Sequence, residues 1–244
     1  MKSNQIYGLR AIIEAIDANQ PINKVYLQKG LKGDLFKELE ANIRKNNISN
    51  SYVPVEKLNR LTEQNHQGAV ANISLINFQE FEPLAEEIIK KNTSPLFLLL
   101  DQISDVRNFG AIIRTAECSG VDAIIVPKTG SAPLNDDAIK TSAGAAFNIP
   151  ISKVDHLKDA LFYLQASGVK LIAATEKTND SIFDIDFKES CALIMGSENR
   201  GINPSILKMV DSKAKLPLLG KISSLNVSVA CGVFLYEVVR QRIS

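Results

Sequence analysis

The stretch Leu216-Pro217-Leu218-Leu219-Gly220-Lys221-Ile222-Ser223-Ser224-Leu225-Asn226-Val227-Ser228-Val229-Ala230 decides how this chain is read. An apolar, strand-like run breaks at Gly220. A short polar stretch follows, and an apolar helical pattern then runs almost to the end of the sequence. Asn226 stands at an N-cap position, where its side chain can satisfy an orphan backbone N–H. Such a strand-to-helix junction turns backbone donors and small polar side chains toward a ligand. An ordinary capped connection uses the same residue types.

Two further junctions have the same character. One runs from Leu99-Leu100-Asp101 through Asp105-Val106-Arg107-Asn108-Phe109-Gly110 to Arg114-Thr115-Ala116-Glu117; the other is Ala192-Leu193-Ile194-Met195-Gly196-Ser197-Glu198-Asn199-Arg200-Gly201. Each begins as a buried-looking apolar strand and ends in Gly, Asn, Ser and charged residues. Open α/β sheets bind ligands at the carboxyl ends of their strands. Three polar, glycine-bearing strand ends in one domain exceed what connection chemistry requires.

These segments carry a resemblance. Asn108-x-Gly110-x-Ile112-x-Arg114-Thr115-Ala116, Met195-Gly196-Ser197-Glu198-x-x-Gly201 and Leu216-Pro217-Leu218 through Ser224-Leu225-Asn226-Val227-Ser228 are similar to the three motifs of the SpoU/TrmH family. That family belongs to the SPOUT class of S-adenosylmethionine-dependent RNA ribose 2′-O-methyltransferases. Ile6-Tyr7-Gly8-Leu9-Arg10-Ala11 and His66-Gln67-Gly68-Ala69-Val70-Ala71 resemble the small RNA-binding domain of the branch that methylates guanosine in 23S rRNA. The resemblance spans essentially the whole chain. It departs at Val106, where many members carry Pro; the change loosens a turn and removes no side-chain chemistry.

Composition is compatible with this reading. At 244 residues and 45% hydrophobic, the chain can form one large or two small domains with ordinary cores. No run reaches the length of a membrane span and the N-terminus lacks a signal pattern, so a cytoplasmic protein without membrane association is expected. Cys118, Cys191 and Cys231 are scattered and read as small buried hydrophobes; with only His66 and His156 to assist them, no metal site is expected. Residues 1–76 hold ten Lys/Arg and seven Asp/Glu, a net +3, whereas 77–94 carry a net −2 and 95–244 balance. The mild excess on the N-terminal part suits a grip on RNA.

The expected architecture is α/β: a small N-terminal α/β domain (1–76), a linker (77–94) and a C-terminal parallel-sheet domain (95–244). In the first, helices are expected over Leu9–Asp17, Asp34–Lys45 and Glu56–Glu63, and strands at Val25–Leu27, Tyr52–Val55 and Ala69–Ile73. The linker has an acidic run and helical spacing of Leu84, Ile88 and Ile89. In the C-terminal part, Leu96–Leu100, Ala123–Val126, Lys170–Ala174, Ala192–Met195 and Lys215–Leu218 read as strands covered on both faces. Helices fall at 108–119, 136–145, 156–167 and 226–242. No Gly-x-Gly-x-x-Gly follows the first strand, which argues against a dinucleotide site. The resemblance further implies a small domain like ribosomal RNA-binding proteins, a C-terminal SPOUT domain with a deep trefoil knot, and a homodimer paired through it.

Methyl transfer requires a held sulfonium donor, an aligned hydroxyl and relief of charge on the attacking oxygen; positioning alone can supply about 7–11 kcal/mol. Arg114 either faces solvent or meets the target ribose and its phosphate. Because guanidinium stays protonated, its expected role is to bind phosphate and stabilise a developing alkoxide. Asn108 is expected to cap a helix, hold RNA or orient Arg114. Glu198 is a candidate acceptor for Arg114 or a base. Ser224 and Asn226 would line the same pocket or serve as caps. For S-adenosylmethionine, the resemblance points to Leu216 and Leu225, with Thr175, Met195, Leu218 and Ser224 as neighbours; Gly196 would permit close approach. Lys128, Lys140 and Lys221 either contact phosphates or are solvated charges. The expected activity is guanosine 2′-O-methylation in large-subunit rRNA. The alternatives are methylation of tRNA ribose and a non-catalytic ribosome-assembly factor.

Overall fold

In a computed structural model, described over residues 5–18, 20–73, 76–198, 200–222 and 224–243, ten strands fall into two sheets. Each sheet belongs to its own unit, Met1–Asn77 and Phe78–Ser244.

The first unit runs β1 (Gln5–Tyr7), α1 (Leu9–Asp17), β2 (Ile22–Gln28), α2 (Asp34–Lys45), β3 (Asn50–Val53), α3 (Val55–Leu61), β4 (Ala69–Ile73). The sheet order is β1-β4-β2-β3; β4 is antiparallel to both neighbours and β3 parallel to β2. Alternation decides the faces. Val25, Leu27, Ala69 and Ala71 point to one side, where α1 and α2 cover them with Ile12, Ile16, Leu39 and Ile43. Val53 and Val70 point to the other, under Leu58 of α3. The edge strand β1 was not foreseen, since three residues carry no measurable period.

The second unit runs α4 (Phe81–Lys91), β5 (Leu96–Asp101), α5 (Val106–Cys118), β6 (Ala123–Pro127), α6 (Asp136–Thr141), β7 (Ile151–Val154), α7 (Leu157–Ala166), β8 (Lys170–Ala174), β9 (Cys191–Gly196), α8 (Pro204–Leu207), β10 (Ser212–Ala214), α9 (Val227–Ile243). All neighbours in the order β10-β8-β9-β5-β6-β7 are parallel. Every residue of β5, β6 and β9 is buried, as parallel strands covered on both faces must be.

Several expectations change. Residues 77–94 do not form a linker: α4 packs Phe81, Leu84 and Ala85 into the core of the second unit. Pro83 sits in its first turn, where no intrahelical donor is lost, and its charges pair as Glu86–Lys90 and Glu87–Lys91. Lys215–Leu218 is not a strand. The edge strand is Ser212–Ala214; Lys215 only bridges to Ser181, and Pro217 has no N–H to continue a ladder. The helix over 136–145 stops at Thr141, and Ala145–Phe147 forms a separate 3₁₀ turn. The cap of α5 is Asp105, whose side chain accepts from Asn108 N–H at 2.8 Å; Asn108 is therefore inside the helix rather than its cap. Val106 occupies the first helical position, where Pro is favoured, and the Asp105 cap holds the helix start without it. At the far end of α9, Arg242 donates to the carbonyls of Ser94 (2.6 Å), Glu189 (2.8 Å) and Phe187 (3.0 Å).

Candidate functional site

Three chain segments leave the sheet at the carboxyl ends of β5, β9 and β10. β5 and β9 pair with Asp101 opposite Gly196, so the segments that follow them emerge side by side. β8 flanks β9 on its other side. Its exit is tied to the third segment, since Thr175 N–H donates to Ala214 O at 2.9 Å. The three sequence motifs meet because of this strand order.

The segment after β9 is closely pinned. Asp101 Oδ2 accepts from Asn203 N–H at 2.7 Å, and Gly201 N–H donates to Ser197 O at 2.8 Å. Burial raises the Asp101 carboxyl above the usual range, and the Asn203 hydrogen bond draws it back down in part. A Cβ at Gly196 would overlap the backbone of Gly201 and Ile202. The close approach that the sequence reading reserved for a ligand is taken up by the chain itself. Asn199, in the same motif, and Ser223, in the third, lie outside the described residues.

One residue from each motif joins a single hydrogen-bonded triangle. Glu198 Oε1 accepts from Asn226 Nδ2 at 2.7 Å and from Asn108 Nδ2 at 3.0 Å. Asn226 Nδ2 also reaches Asn108 Oδ1 at 2.9 Å. Asn226 Oδ1 caps α9, accepting from Ser228 N–H at 2.9 Å, as expected from sequence. Val227 N–H points to Glu198 Oε1 at 3.4 Å, which places the carboxylate at the positive end of that helix. Arg114 is outside the triangle. It projects from α5 to solvent and makes no ion pair among the described residues, so the expected Arg114–Glu198 bond is not formed.

Beside the triangle lies a cavity of about 450 Å³, within the range of small-molecule sites. Thr175, Met195, Leu216, Leu218, Ser224 and Leu225 all line it. Gly196, the seventh expected cofactor contact, does not. Ala174, Glu176, Lys215, Pro217, Ala230 and Phe234 complete the wall and were missed. Ala230 and Phe234 stand one turn apart at the start of α9, and that spacing was the available signal. The lining is mainly aliphatic, with two hydroxyls and one charge of each sign. That composition suits a ligand with an apolar ring system, a sugar and a zwitterionic end. Leu219 and Ile222 of the same segment are 100% and 79% exposed.

The chemistry available is narrow. Among the described residues, no group of His, Cys, Asp and Glu could hold a metal. Burial pushes the Cys191 and Cys231 thiols up to about 11 and about 12, so neither is a thiolate nucleophile at neutral pH. The amide–carboxylate cluster beside an apolar cavity is a device for positioning.

Comparison with known proteins bears on the same residues. Residues 95–236 match the SpoU rRNA methylase family, and residues 5–79 match the RNA 2′-O ribose methyltransferase substrate-binding family. YacO of Bacillus subtilis, assigned by name to the TrmH family of tRNA/rRNA methyltransferases, is 32% identical over 97% of this chain and 95% of its own. The fold is shared with the SpoU methyltransferase AviRb from Streptomyces viridochromogenes (TM-score 0.62, 24% identity, 98% and 89% of the two chains). It is shared equally with an AdoMet-bound rRNA methyltransferase from Sinorhizobium meliloti (TM-score 0.63, 23% identity, 98% and 88%).

Proposed function

The chain belongs to the SpoU rRNA methylase family and is an RNA methyltransferase, and we propose that it transfers a methyl group from S-adenosylmethionine to the ribose 2′-hydroxyl of a guanosine in 23S rRNA. The observation that carries the proposal is the Asn108–Glu198–Asn226 triangle, one residue per motif, next to a cavity lined by motif-three residues. S-adenosylmethionine, bound in that cavity, supplies an electrophilic methyl group. The residues present fit it: Leu216, Leu218, Leu225 and Met195 for the adenosine, Thr175 and Ser224 for hydroxyls, and Glu176 and Lys215 for the charged end.

The triangle's part is orientation. Glu198 fixes both amides, so Asn108 and Asn226 present set edges to RNA instead of rotating freely. Arg114, solvent-facing and outside every ion pair of the described residues, is assigned to the target phosphate and to the charge that develops on the attacking 2′-oxygen. Ser224 lines the cavity two residues before Asn226 of the triangle. The same proposal includes a homodimer through the C-terminal unit. Its support is an apolar stripe on α9, Val229, Val233 and Tyr236, exposed by 54%, 42% and 53% at i, i+4 and i+7 spacing. It also includes the trefoil knot, supported by membership of the SpoU rRNA methylase family and by the return of residues 226–227 to Glu198. A cytoplasmic location accompanies an rRNA substrate, and among the described residues no helix is long and apolar enough to cross a membrane.

Transfer to tRNA is the second reading, because the Bacillus relative's name covers both RNAs. Mapping ribose methylation in rRNA and tRNA from a strain lacking the gene separates the two. Loss of a single 23S guanosine methylation is the expected result, and loss confined to tRNA would replace it. Arg114→Ala and Arg114→Lys should both slow single-turnover transfer, by roughly a hundred- to a thousand-fold, about 2.7–4 kcal/mol, with S-adenosylmethionine binding retained. Near-native rates in Arg114→Ala would remove Arg114 from the mechanism.

A further inference from the structure

The face of the first sheet under α3 carries an arrangement that the fold does not require. In register across it lie Tyr7 of β1, Val70 of β4 and Tyr26 of β2, so the three side chains share one side. α3 closes over Val70 and the inner part of Tyr26, while Tyr7, on the edge strand, stays 37% exposed. Two ammonium groups converge on the Tyr26 ring: Lys24 Nζ at 5.5 Å and Lys57 Nζ at 5.6 Å from its centroid. Neither lysine makes an ion pair among the described residues. Two like charges brought to one ring without a counter-ion form a site that an anion would relieve.

A second observation comes from the adjoining turn. Residues 66–69 close with Ala69 N–H on His66 O at 2.8 Å, with Gln67 at φ 48° and Gly68 at φ 85°. Glycine suits position 68, whose φ of 85° strains other residues and where a Cβ would push on the end of the Leu31 side chain at 2.5 Å. Nothing comparable requires glutamine at 67, and a non-glycine residue there carries backbone strain. The turn is braced by His66, whose Nδ1 accepts from Gly68 N–H at 3.0 Å while Nε2–H donates to Asn59 Oδ1 at 2.8 Å. The result sets the Gln67 amide over Gly8, the residue after Tyr7; a Cβ at Gly8 would lie 3.4 Å from Gln67 Oε1.

We propose that Tyr7, Gln67, Lys24 and Lys57 form a receptor for an unpaired nucleotide of the RNA substrate. A base stacks on the exposed Tyr7 ring, the Gln67 amide reads its edge with one donor and one acceptor, and the lysines take adjacent phosphates two strand spacings, about 10 Å, away. The proposal rests on the RNA-methyltransferase reading and adds that this unit selects single-stranded over paired RNA.

The test uses the full chain, with fluorescence anisotropy on a twelve-nucleotide mixed-sequence RNA and on the same strand in a duplex. Wild type should prefer the single strand. Tyr7→Ala should weaken that binding by about 5- to 150-fold, the range for loss of one stacked base, and Tyr7→Phe should restore it. Changing Lys24 and Lys57 together to Gln should flatten the salt dependence by about 1.4 in slope, about 0.7 for each phosphate no longer neutralised. Gln67→Gly should leave the denaturation midpoint unchanged or raised and still weaken binding, which a purely structural role would not do. Equal binding by wild type and Tyr7→Ala, or preference for the duplex, overturns the proposal, as does absence of single-strand binding. Methylation of cellular RNA, measured in parallel, separates the two claims: unaltered methylation with no Tyr7 effect sinks only the receptor, whereas a wild type that methylates no RNA sinks the activity itself.

Discussion

Glu198 holds two side-chain amides and one helix start with a single oxygen, yet it is exposed, as is Asn226. Water can therefore replace its bonds at little cost to folding, within about 1 kcal/mol. Glu198→Ala should leave the denaturation midpoint nearly unchanged while greatly lowering single-turnover methyl transfer. Glu198→Gln, which keeps an acceptor oxygen, should recover part of the rate; no recovery would mean that the charge itself is needed. Asp101 is the opposite case, only 5% exposed. Its folded pKa lies above the unfolded value of about 3.9 because burial penalises the anion. The stability it contributes is complete below that unfolded value and is lost as pH rises through the folded one. Asp101→Asn keeps an acceptor for Asn203 N–H without the charge, so the variant should gain on wild type as pH rises above the unfolded value of about 3.9 in paired denaturant titrations. A gap that moves the other way would contradict the buried-anion account. The sequence discloses residues of this kind unevenly. Asn226 was legible as a cap because an apolar helical pattern begins directly after it. Asn108 was not, because Asp105 has an equal claim three residues earlier and only geometry decides between them.

At the scale of elements, close crossings carry much of the architecture. Where α5 meets α6, a Cβ on Gly110 would stand 2.7 Å from Ala138 O and from Thr141 Cβ. Alanine gains about 1 kcal/mol of helix propensity over glycine, and overpacking costs about 1–3 kcal/mol. Gly110→Ala should thus lower stability by up to about 2 kcal/mol in chemical denaturation. Gly196→Ala should cost more, since backbone lies against it and no flexible side chain can yield; the reverse ranking would show that the segment after β9 is softer than its geometry. Strands that are apolar almost throughout, such as β5 and β9, were legible from their composition. The short elements β1, β7 and α8 were not, because three or four residues have no period. The misreadings have physical causes too: Leu216–Leu218 is apolar because it walls a cavity, not because it joins a sheet. The acidic stretch around Glu80–Glu87 looks like a linker because its apolar stripe is narrow and its charges pair within one helix.

For the molecule as a whole, the position of α4 sets which fragment can stand alone. Burial of Phe81 and Leu84 is worth about 1.5–3 kcal/mol each, against a typical total stability of about 5–15 kcal/mol. A fragment of residues 78–244 should unfold cooperatively and bind S-adenosylmethionine in calorimetry, whereas 95–244 should be markedly less stable in urea. Equal stability would mean that α4 is dispensable. No pattern in the sequence foretells that β9 lies beside β5 and that three motifs therefore meet; strand order is a long-range property, and here the resemblance supplied what periodicity could not. The same long reach appears in the clamp formed by Arg242, which binds the carbonyl of Ser94, 148 residues earlier, at the entrance to β5. During synthesis the first unit can fold as soon as it clears the ribosome, but the second must wait until residue 242 has emerged. Its half-made sheet spends that interval with α9 missing from one face, so the nascent chain is most open to misassociation just when the ribosome it comes from, and the RNA it is proposed to modify, are close at hand.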